Sequence, residues 1–363
     1  MSDYHIITDN RHYSLRRVST MKLGDDFGDP DVLTLAEDHI VLKLETALAP
    51  DATLPEGLAF GDVDGLLLVA NQKSLVSASG SALLREARVS KALFCGCAPF
   101  DSCELFANVA SELLRDAQEV HIVHNRNTVY KLIRMFPNAK VIALPHDLSR
   151  HYVEFDEPRR DHSAPLVERS QLRQLVGTWG DQRTECLSIS RATTLALIRS
   201  CPYVCRIDSR WVVSSFTEPN RFFTSTDRRK AKNFTHVNLM DRDLALTTGL
   251  RMSAAAADVA VAAKTFPSVE MLEVCLGSQE ALAKISAFRN LRSLAVAFSP
   301  AFISRDVSTQ LEQLLAKLPG LEELELENCG GIRLLAISRL CTRLKILKIV
   351  NCVGSLNDVP CGR

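Results

Sequence analysis

The pattern L-x-x-L-x-L-x-x-C occurs twice near the C-terminus, first as Leu321-Glu-Glu-Leu324-Glu-Leu326-Glu-Asn-Cys329 and then as Leu344-Lys-Ile-Leu347-Lys-Ile349-Val-Asn-Cys352. The second and third apolar residues of each copy are two positions apart, so both side chains point to one face of an extended strand. The segment between the copies, 331–342, carries apolar residues at the spacing of one short helix. The two stretches therefore predict a strand followed by a helix as a repeating unit.

Weaker copies of this pattern run through most of the chain. Eleven candidate units start at residues 63, 89, 117, 139, 184, 204, 234, 269, 291, 321 and 344. Most spacings between these starts lie in or near the range of about 20–29 residues known for repeats of this kind. The longest gap, after the unit at 139, contains Asp156-Glu-Pro-Arg-Arg-Asp161 and predicts an inserted loop near 148–163. Since one strand–helix unit cannot bury its apolar side alone, the repetition predicts a stack of neighbouring copies.

The pattern resembles the leucine-rich-repeat superfamily. It is most similar to the irregular, cysteine-containing repeats of F-box/leucine-rich-repeat proteins and of ribonuclease-inhibitor-like proteins, and Leu321–Cys329 and Leu344–Cys352 carry the resemblance. The likeness covers roughly residues 60–352. It implies an α/β solenoid, or horseshoe, with parallel strands on the concave face and helices on the convex face. It also implies a non-catalytic, intracellular adaptor or scaffold that binds proteins.

The ends of the chain differ from the repeats. Residues 1–60 contain short alternating pieces, which predict a small N-terminal cap of short strands. The solenoid is predicted over 61–353 and a short tail over 354–363. Too few residues follow Ile349 for a good capping helix, so the last strand is predicted to be exposed unless the chain is abbreviated.

One motif bears on ubiquitin-ligase function. Leu54-Pro55-Glu56-Gly57-Leu58 looks like the opening of an F-box, but residues 59–65 lack the amphipathic helix that follows in that family. The resemblance therefore implies a substrate-receptor-like protein without a clear F-box. Two alternatives stay open: a complete adaptor that binds the ligase linker through residues 54–90, or an ordinary loop before the solenoid.

Composition limits the other function classes. The chain of 363 residues has 43 basic and 43 acidic side chains and 6% aromatic residues. Balanced charge argues against a broad nucleic-acid-binding surface, and few aromatics argue against wide stacking platforms. The N-terminus has no apolar core of a secretory signal, and the longest apolar stretch, 252–263, is too short to span a membrane. We therefore expect a soluble cytoplasmic protein with reduced cysteines, and a nuclear location as the alternative.

The run from Arg221 to Lys232 is the one strongly basic segment, and Phe222 and Phe223 lie within it. It could contact nucleic acid or act as a nuclear import signal. A solvated loop between repeats is the simpler interpretation.

The densest group of possible metal ligands lies in the first half of the chain. Cys95, Cys97 and Cys103 form the densest thiol cluster, and His121 and His124 follow in the next unit. A zinc site would need four converging ligands, whereas Cys97 holds the repeat position of Cys329, which favours packing. Nucleophile-elbow, phosphate-loop, dinucleotide and zinc-protease motifs are absent from the sequence. We therefore predict no metal, no cofactor and no catalysis.

Candidate binding residues flank the middle apolar residue of each repeat. In parallel strands these side chains point away from the helices, onto the concave face. Neighbouring repeats should place Glu325 beside Lys348. A polar face of mixed charge suits selective protein recognition, although solubility alone would also demand polar residues. The predicted partner-binding residues are Glu119, His121, Arg206, Asp208, His236, Asn238, Met271, Glu273, Glu323, Glu325 and Lys348.

Overall fold

A computed structural model gives the fold in two compact units, Met1–Val204 and Cys205–Arg363, which are described separately. The predicted division into cap, solenoid and tail stays a prediction. The insertion at 148–163, the motif Leu54–Leu58 and the tail 354–363 lie outside the described residues. Those residues are 4–9, 13–18, 21–22, 34–35, 39–44, 66–79, 84, 89–94, 104–122, 129–145, 170–178, 187, 189, 191–209, 212–213, 229–239, 256–298 and 306–352.

The unit Met1–Val204 begins with antiparallel strands and continues with parallel ones. Its sheet has the order β1-β2-β5-β6-β7-β8-β9-β10, in which β1, β2 and β5 are antiparallel and the later pairs are parallel. A separate hairpin pairs β3 with β4. The strands are β1 (Tyr4–Asp9), β2 (Tyr13–Val18), β3 (Met21–Lys22), β4 (Thr34–Leu35), β5 (His39–Leu44), β6 (Leu66–Ala70), β7 (Val89–Phe94), β8 (Glu119–Ile122), β9 (Val141–Pro145) and β10 (Gln174–Thr178). The helices are α1 (Gln72–Ala78), α2 (Glu104–Leu113), α3 (Val129–Met135) and α4 (Arg191–Ser200).

The core of this unit is a ladder of one apolar residue per strand. The strand register aligns six residues that are all fully buried, and each lies opposite the next along the sheet. They are Leu42, Leu68, Ala92, Val120, Ile142 and Leu175. Stacking of equivalent positions is what joins the repeats of a solenoid, because each layer buries its apolar side against the next.

Two units of the sequence pattern differ from the structure. Leu68, the third apolar residue of the unit at 63, aligns with Ala92, the second of the unit at 89, so the first unit is displaced by two residues. The gap after residue 139 contains β10, a strand that the sequence pattern does not predict. Leu187 and Ile189, predicted as strand positions, are buried but belong to no strand.

The unit Cys205–Arg363 repeats the same architecture more regularly. Strands β12 to β16 form one parallel sheet in sequence order. The strands are β11 (Arg206–Ile207), β12 (His236–Leu239), β13 (Met271–Leu276), β14 (Ser293–Phe298), β15 (Glu323–Glu327) and β16 (Ile346–Val350). The helices are α5 (Ala256–Thr265), α6 (Gln279–Lys284), α7 (Ser308–Leu315) and α8 (Leu334–Leu340), and a 3₁₀ turn (Ile285–Ala287) follows α6.

The buried ladder of this unit ends at the last repeat. Leu272, Leu294 and Leu324 lie in register and are each 1% exposed. The next residue in the row, Leu347, is 37% exposed, and Ile349 is 40% exposed. The predicted α/β fold of stacked strand–helix repeats is thus confirmed, while the horseshoe shape stays a prediction. Among the described residues, no helix is long and apolar enough to cross a membrane.

Candidate recognition face

The predicted binding residues from His236 to Lys348 lie in two rows across the parallel strands of the second unit. We call this surface, opposite the buried ladder, the polar face. The register confirms that Glu325 lies opposite Lys348. It also adds Ser293, Ala295 and Ile346, which the sequence analysis did not name. The first row is His236, Met271, Ser293, Glu323 and Ile346, and the second is Asn238, Glu273, Ala295, Glu325 and Lys348.

An ion pair at the end of β11 adjoins the polar face at His236. Arg206 donates from Nε to Asp208 Oδ1 at 2.9 Å and from Nη2 to Asp208 Oδ2 at 3.0 Å. The two residues are two positions apart, so both side chains leave the same side of the extended chain. The Asp208 side chain is 0% exposed and that of Arg206 is 13% exposed. A two-pronged pair of this kind fixes the orientation of both side chains.

His236 lies between two carboxylates. Its Nε2 is 3.5 Å from Asp208 Oδ1 and 3.6 Å from Glu273 Oε1, and its side chain is 1% exposed. These distances are too long for good hydrogen bonds, and neither ring nitrogen has a hydrogen-bond partner among the described residues. Burial is the main cause that lowers the pKa of His236, to about 4, with the charge of Arg206 acting in the same direction. The imidazole is therefore neutral at pH 7.

Asn238 and Glu273 complete this group of residues. Asn238 donates from Nδ2 to Glu273 Oε2 at 3.0 Å, across the β12–β13 pair. Burial favours the neutral form of Arg206, but Asp208 outweighs it and raises the pKa of the guanidinium, and Glu273 adds to this effect. We call Arg206, Asp208, His236, Asn238 and Glu273 the polar network. It joins three neighbouring strands.

The neutral state of His236 makes the unit sensitive to acid. In an unfolded chain its pKa is the ordinary 6.5, whereas in the folded chain it is about 4. Between these values the unfolded state binds more protons, so stability is present above pH 6.5 and is lost as the pH falls toward 4. From pH 7 to pH 5 this single group accounts for about 2 kcal/mol. Urea titrations of the wild type and His236→Gln at both pH values measure it. The variant should lose less stability on acidification, and equal losses would refute this origin.

The far end of the polar face is more accessible. Ser293 donates from Oγ to Glu323 Oε2 at 2.9 Å. Glu323 and Lys348 are exposed, and Glu325 between them is half-buried. Asp208, His236 and Asn238 are buried, so they support the surface rather than form its outermost part. Cys275 and Ala297, one step further along the strands, are also buried and border the face.

A second polar group lies in the unit Met1–Val204. Lys91 Nζ is 3.3 Å from Glu119 Oε2, and His121 Nε2 is 2.6 Å from Glu119 Oε1. Burial tends to raise the pKa of Glu119, but His121 and Lys91 outweigh it and lower that pKa to about 2. Lys91 was missed by the sequence analysis, although it flanks Ala92 and the rule applied to the other repeats would have selected it.

The remaining sequence hypotheses are only partly covered by the structure. No group of three or more His, Cys, Asp or Glu residues in the described part of the chain is arranged to hold a metal ion. Cys95, Cys97, Cys103 and His124 lie outside that part. The basic run is described from Arg229 onward, where Arg229 and Lys232 are exposed, and its start lies outside the described residues.

The aligned apolar rows decide the fold assignment, because L-x-x-L-x-L positions of successive repeats coincide in the register of β13, β14 and β15. The chain has a leucine-rich-repeat fold. No protein-family model and no curated protein matches it.

Solved leucine-rich-repeat structures are similar at low identity. The leucine-rich-repeat-containing protein LegL7 from Legionella pneumophila has a TM-score of 0.43 and 14% identity, over 80% of this chain and 96% of that one. An internalin from Listeria monocytogenes has a TM-score of 0.30 and 10% identity, over 81% of this chain and 67% of the internalin. A leucine-rich-repeat protein from Leptospira interrogans has a TM-score of 0.21 and 11% identity, over 83% and 91%. With scores this low, the assignment of the leucine-rich-repeat fold rests on the register alone.

Proposed function

We propose that this leucine-rich-repeat protein is a non-catalytic scaffold that recognises a protein partner with the polar face of Cys205–Arg363. The observation that carries the proposal is the polar network, in which buried and partly buried side chains on β11, β12 and β13, and Asp208 just after β11, hold one another in place. Recognition surfaces gain affinity when their side chains are fixed before binding, because less conformational entropy is then lost.

The accessible charges beyond the network support a role in specificity. Glu323 and Lys348 are exposed on neighbouring strands, and Glu325 lies opposite Lys348. Charges arranged in this way favour a partner with the complementary pattern and penalise one with like charges. Ile346 lies opposite Glu323 on the polar face and is 45% exposed, so it supplies apolar area beside these charges. A surface that combines these features suits a folded protein or an extended segment that carries an acidic group opposite Lys348, basic groups opposite Glu323 and Glu325, and apolar residues.

The finer hypothesis is an F-box-like substrate receptor. It is supported by the resemblance of Leu321–Cys329 and Leu344–Cys352 to the repeats of F-box/leucine-rich-repeat proteins. The candidate F-box opening, Leu54–Leu58, lies outside the described residues. If residues 54–90 form a complete adaptor, the purified chain should bind the ubiquitin-ligase linker stoichiometrically. If they do not, the chain should recover a protein client without the linker.

Two matched charge reversals test the proposed face. Lys348 is exposed on the polar face and Lys317 is exposed just after α7, so Lys348→Glu and Lys317→Glu make the same chemical change in two places. We expect affinity purification of the full chain with Lys348→Glu to recover the partner at least about tenfold less well, equivalent to roughly 1.4 kcal/mol. Lys317→Glu should leave recovery unchanged. Equal recovery with both variants, or a loss confined to Lys317→Glu, would refute this face.

A further inference from the structure

Two cysteines occupy equivalent places in the last two repeats. Cys329 and Cys352 each end the L-x-x-L-x-L-x-x-C pattern, and each follows an asparagine with positive φ: 58° at Asn328 and 51° at Asn351. Asparagine adopts this left-handed conformation more readily than most residues, so the two turns share one shape. The Asn328 N–H donates to Val350 O at 3.0 Å, which continues the strand pairing into the turns.

The pairing brings the two sulfur atoms together. Neighbouring strands are about 4.8 Å apart, and disulfides join Cα atoms that are roughly 4.4–6.8 Å apart. The Cys329 and Cys352 Sγ atoms are 3.4 Å apart, and the Cys329 N–H lies 3.5 Å from Cys352 Sγ. A bond would require the sulfur atoms to approach by about 1.3 Å, which side-chain rotation can supply.

We propose that Cys329 and Cys352 are a redox site, at which a reversible disulfide fastens the last repeat to the one before it. This inference is independent of the proposed partner-binding function. The end of the stack is where such a bond matters, because β16 exposes both of its ladder residues, Leu347 and Ile349. Among the described residues β16 pairs with β15 alone, so this interface is a weak point of the repeat array.

The environments of the two thiols give the order of the reaction. Cys329 is fully buried, and burial, followed by its contact with Cys352, raises its pKa. Cys352 is half-buried and so is reached first from solvent. A small-molecule disulfide such as glutathione disulfide would be attacked by the Cys352 thiolate, which forms a mixed disulfide and releases one small thiol.

The second step closes the bond. Burial and the neighbouring Cys352 thiol both raise the pKa of Cys329. Once Cys352 is bound to glutathione, the contribution of its thiol is lost and the pKa of Cys329 falls. Cys329 then loses its proton to water and attacks Cys352 Sγ, and the second small thiol leaves. Overall the protein loses two hydrogen atoms and one glutathione disulfide becomes two glutathione molecules. A dithiol reductant reverses the change.

The test uses the full chain equilibrated with mixtures of reduced and oxidised glutathione. Intact mass should show the loss of two hydrogen atoms, and peptide mapping should show a linkage between Cys329 and Cys352. Hydrogen exchange of the β16 amides should slow by about tenfold or more on oxidation and recover on reduction. Cys352→Ser should abolish both effects. Cys341→Ser, which alters a buried cysteine of the repeat that contains Cys329, should leave both unchanged.

Three outcomes would overturn the proposal. One is a stable glutathione adduct on Cys352 that does not proceed to the disulfide. Another is a linkage from Cys352 to Cys361, which lies outside the described residues. The third is a Cys329–Cys352 linkage that leaves exchange of β16 unchanged, since the bond would then fasten nothing.

Discussion

Replacing Asp208 by alanine is expected to lower the free energy of unfolding of the unit Cys205–Arg363 by about 3–5 kcal/mol. The guanidinium of Arg206 would remain largely buried, and it would lose both of the short hydrogen bonds that now offset its desolvation. His236 would lose one of its two neighbouring carboxylates as well. Urea denaturation followed by circular dichroism measures the loss.

A double substitution separates the charge effect from simple loss of packing. Arg206→Met with Asp208→Leu replaces the pair by apolar side chains, and a buried pair replaced in this way often costs little. We expect the double variant to be more stable than Asp208→Ala. If Asp208→Ala costs less than about 1 kcal/mol, as an exposed pair would, the ion pair does not hold the network together.

The second large effect concerns the buried ladder. Leu324→Ala should cost about 2–5 kcal/mol, because Leu324 is 1% exposed and lies between equivalent residues of two neighbouring repeats. Leu347→Ala makes the same change one repeat later, where the side chain is 37% exposed. That variant should cost less, about 1–2 kcal/mol, because more than a third of the side chain is already exposed to solvent. Thermal and urea unfolding of both variants give the comparison.

Comparing the two variants tests whether the buried ladder includes Leu324 but not Leu347. Equal, large costs for the two variants would mean that Leu347 is covered in the protein in solution. Equal, small costs would mean that Leu324 is not in a packed ladder. Because both variants replace leucine by alanine within a strand, the intrinsic effect on strand formation is about the same, and a difference in cost reports the difference in packing.

The sequence was sufficient for the repeating part of the fold. L-x-x-L-x-L requires two side chains on one face of a strand, and this requirement alone placed Leu294, Leu324 and their equivalents in one buried row. It was insufficient for β10, where Leu172 and Leu175 obey the pattern but Gly177 replaces the third apolar residue. A strand can pair through its backbone without that side chain, so the apolar pattern missed it.

The candidate site was predictable by position but not by contact. Period-two alternation placed Arg206, Asp208 and His236 on the face opposite the core. It could not give the two-pronged Arg206–Asp208 pair or the location of His236 between two carboxylates, because these depend on side-chain rotamers and on distances across strands. Burial of Asp208 and His236 was unforeseen for the same reason. Ile346 flanks Leu347 as Met271 flanks Leu272, so the rule that selected Met271 would have selected Ile346 as well.

Site-specific photocrosslinking tests the central claim of a protein-recognition face most directly. A photoreactive amino acid at Glu323, exposed on β15, is compared with the same amino acid at Gln313, exposed on α7 of the preceding repeat. Illumination in cell extract should give a discrete protein adduct from position 323 and none from position 313. An adduct from position 313 with none from position 323 would contradict recognition by the polar face.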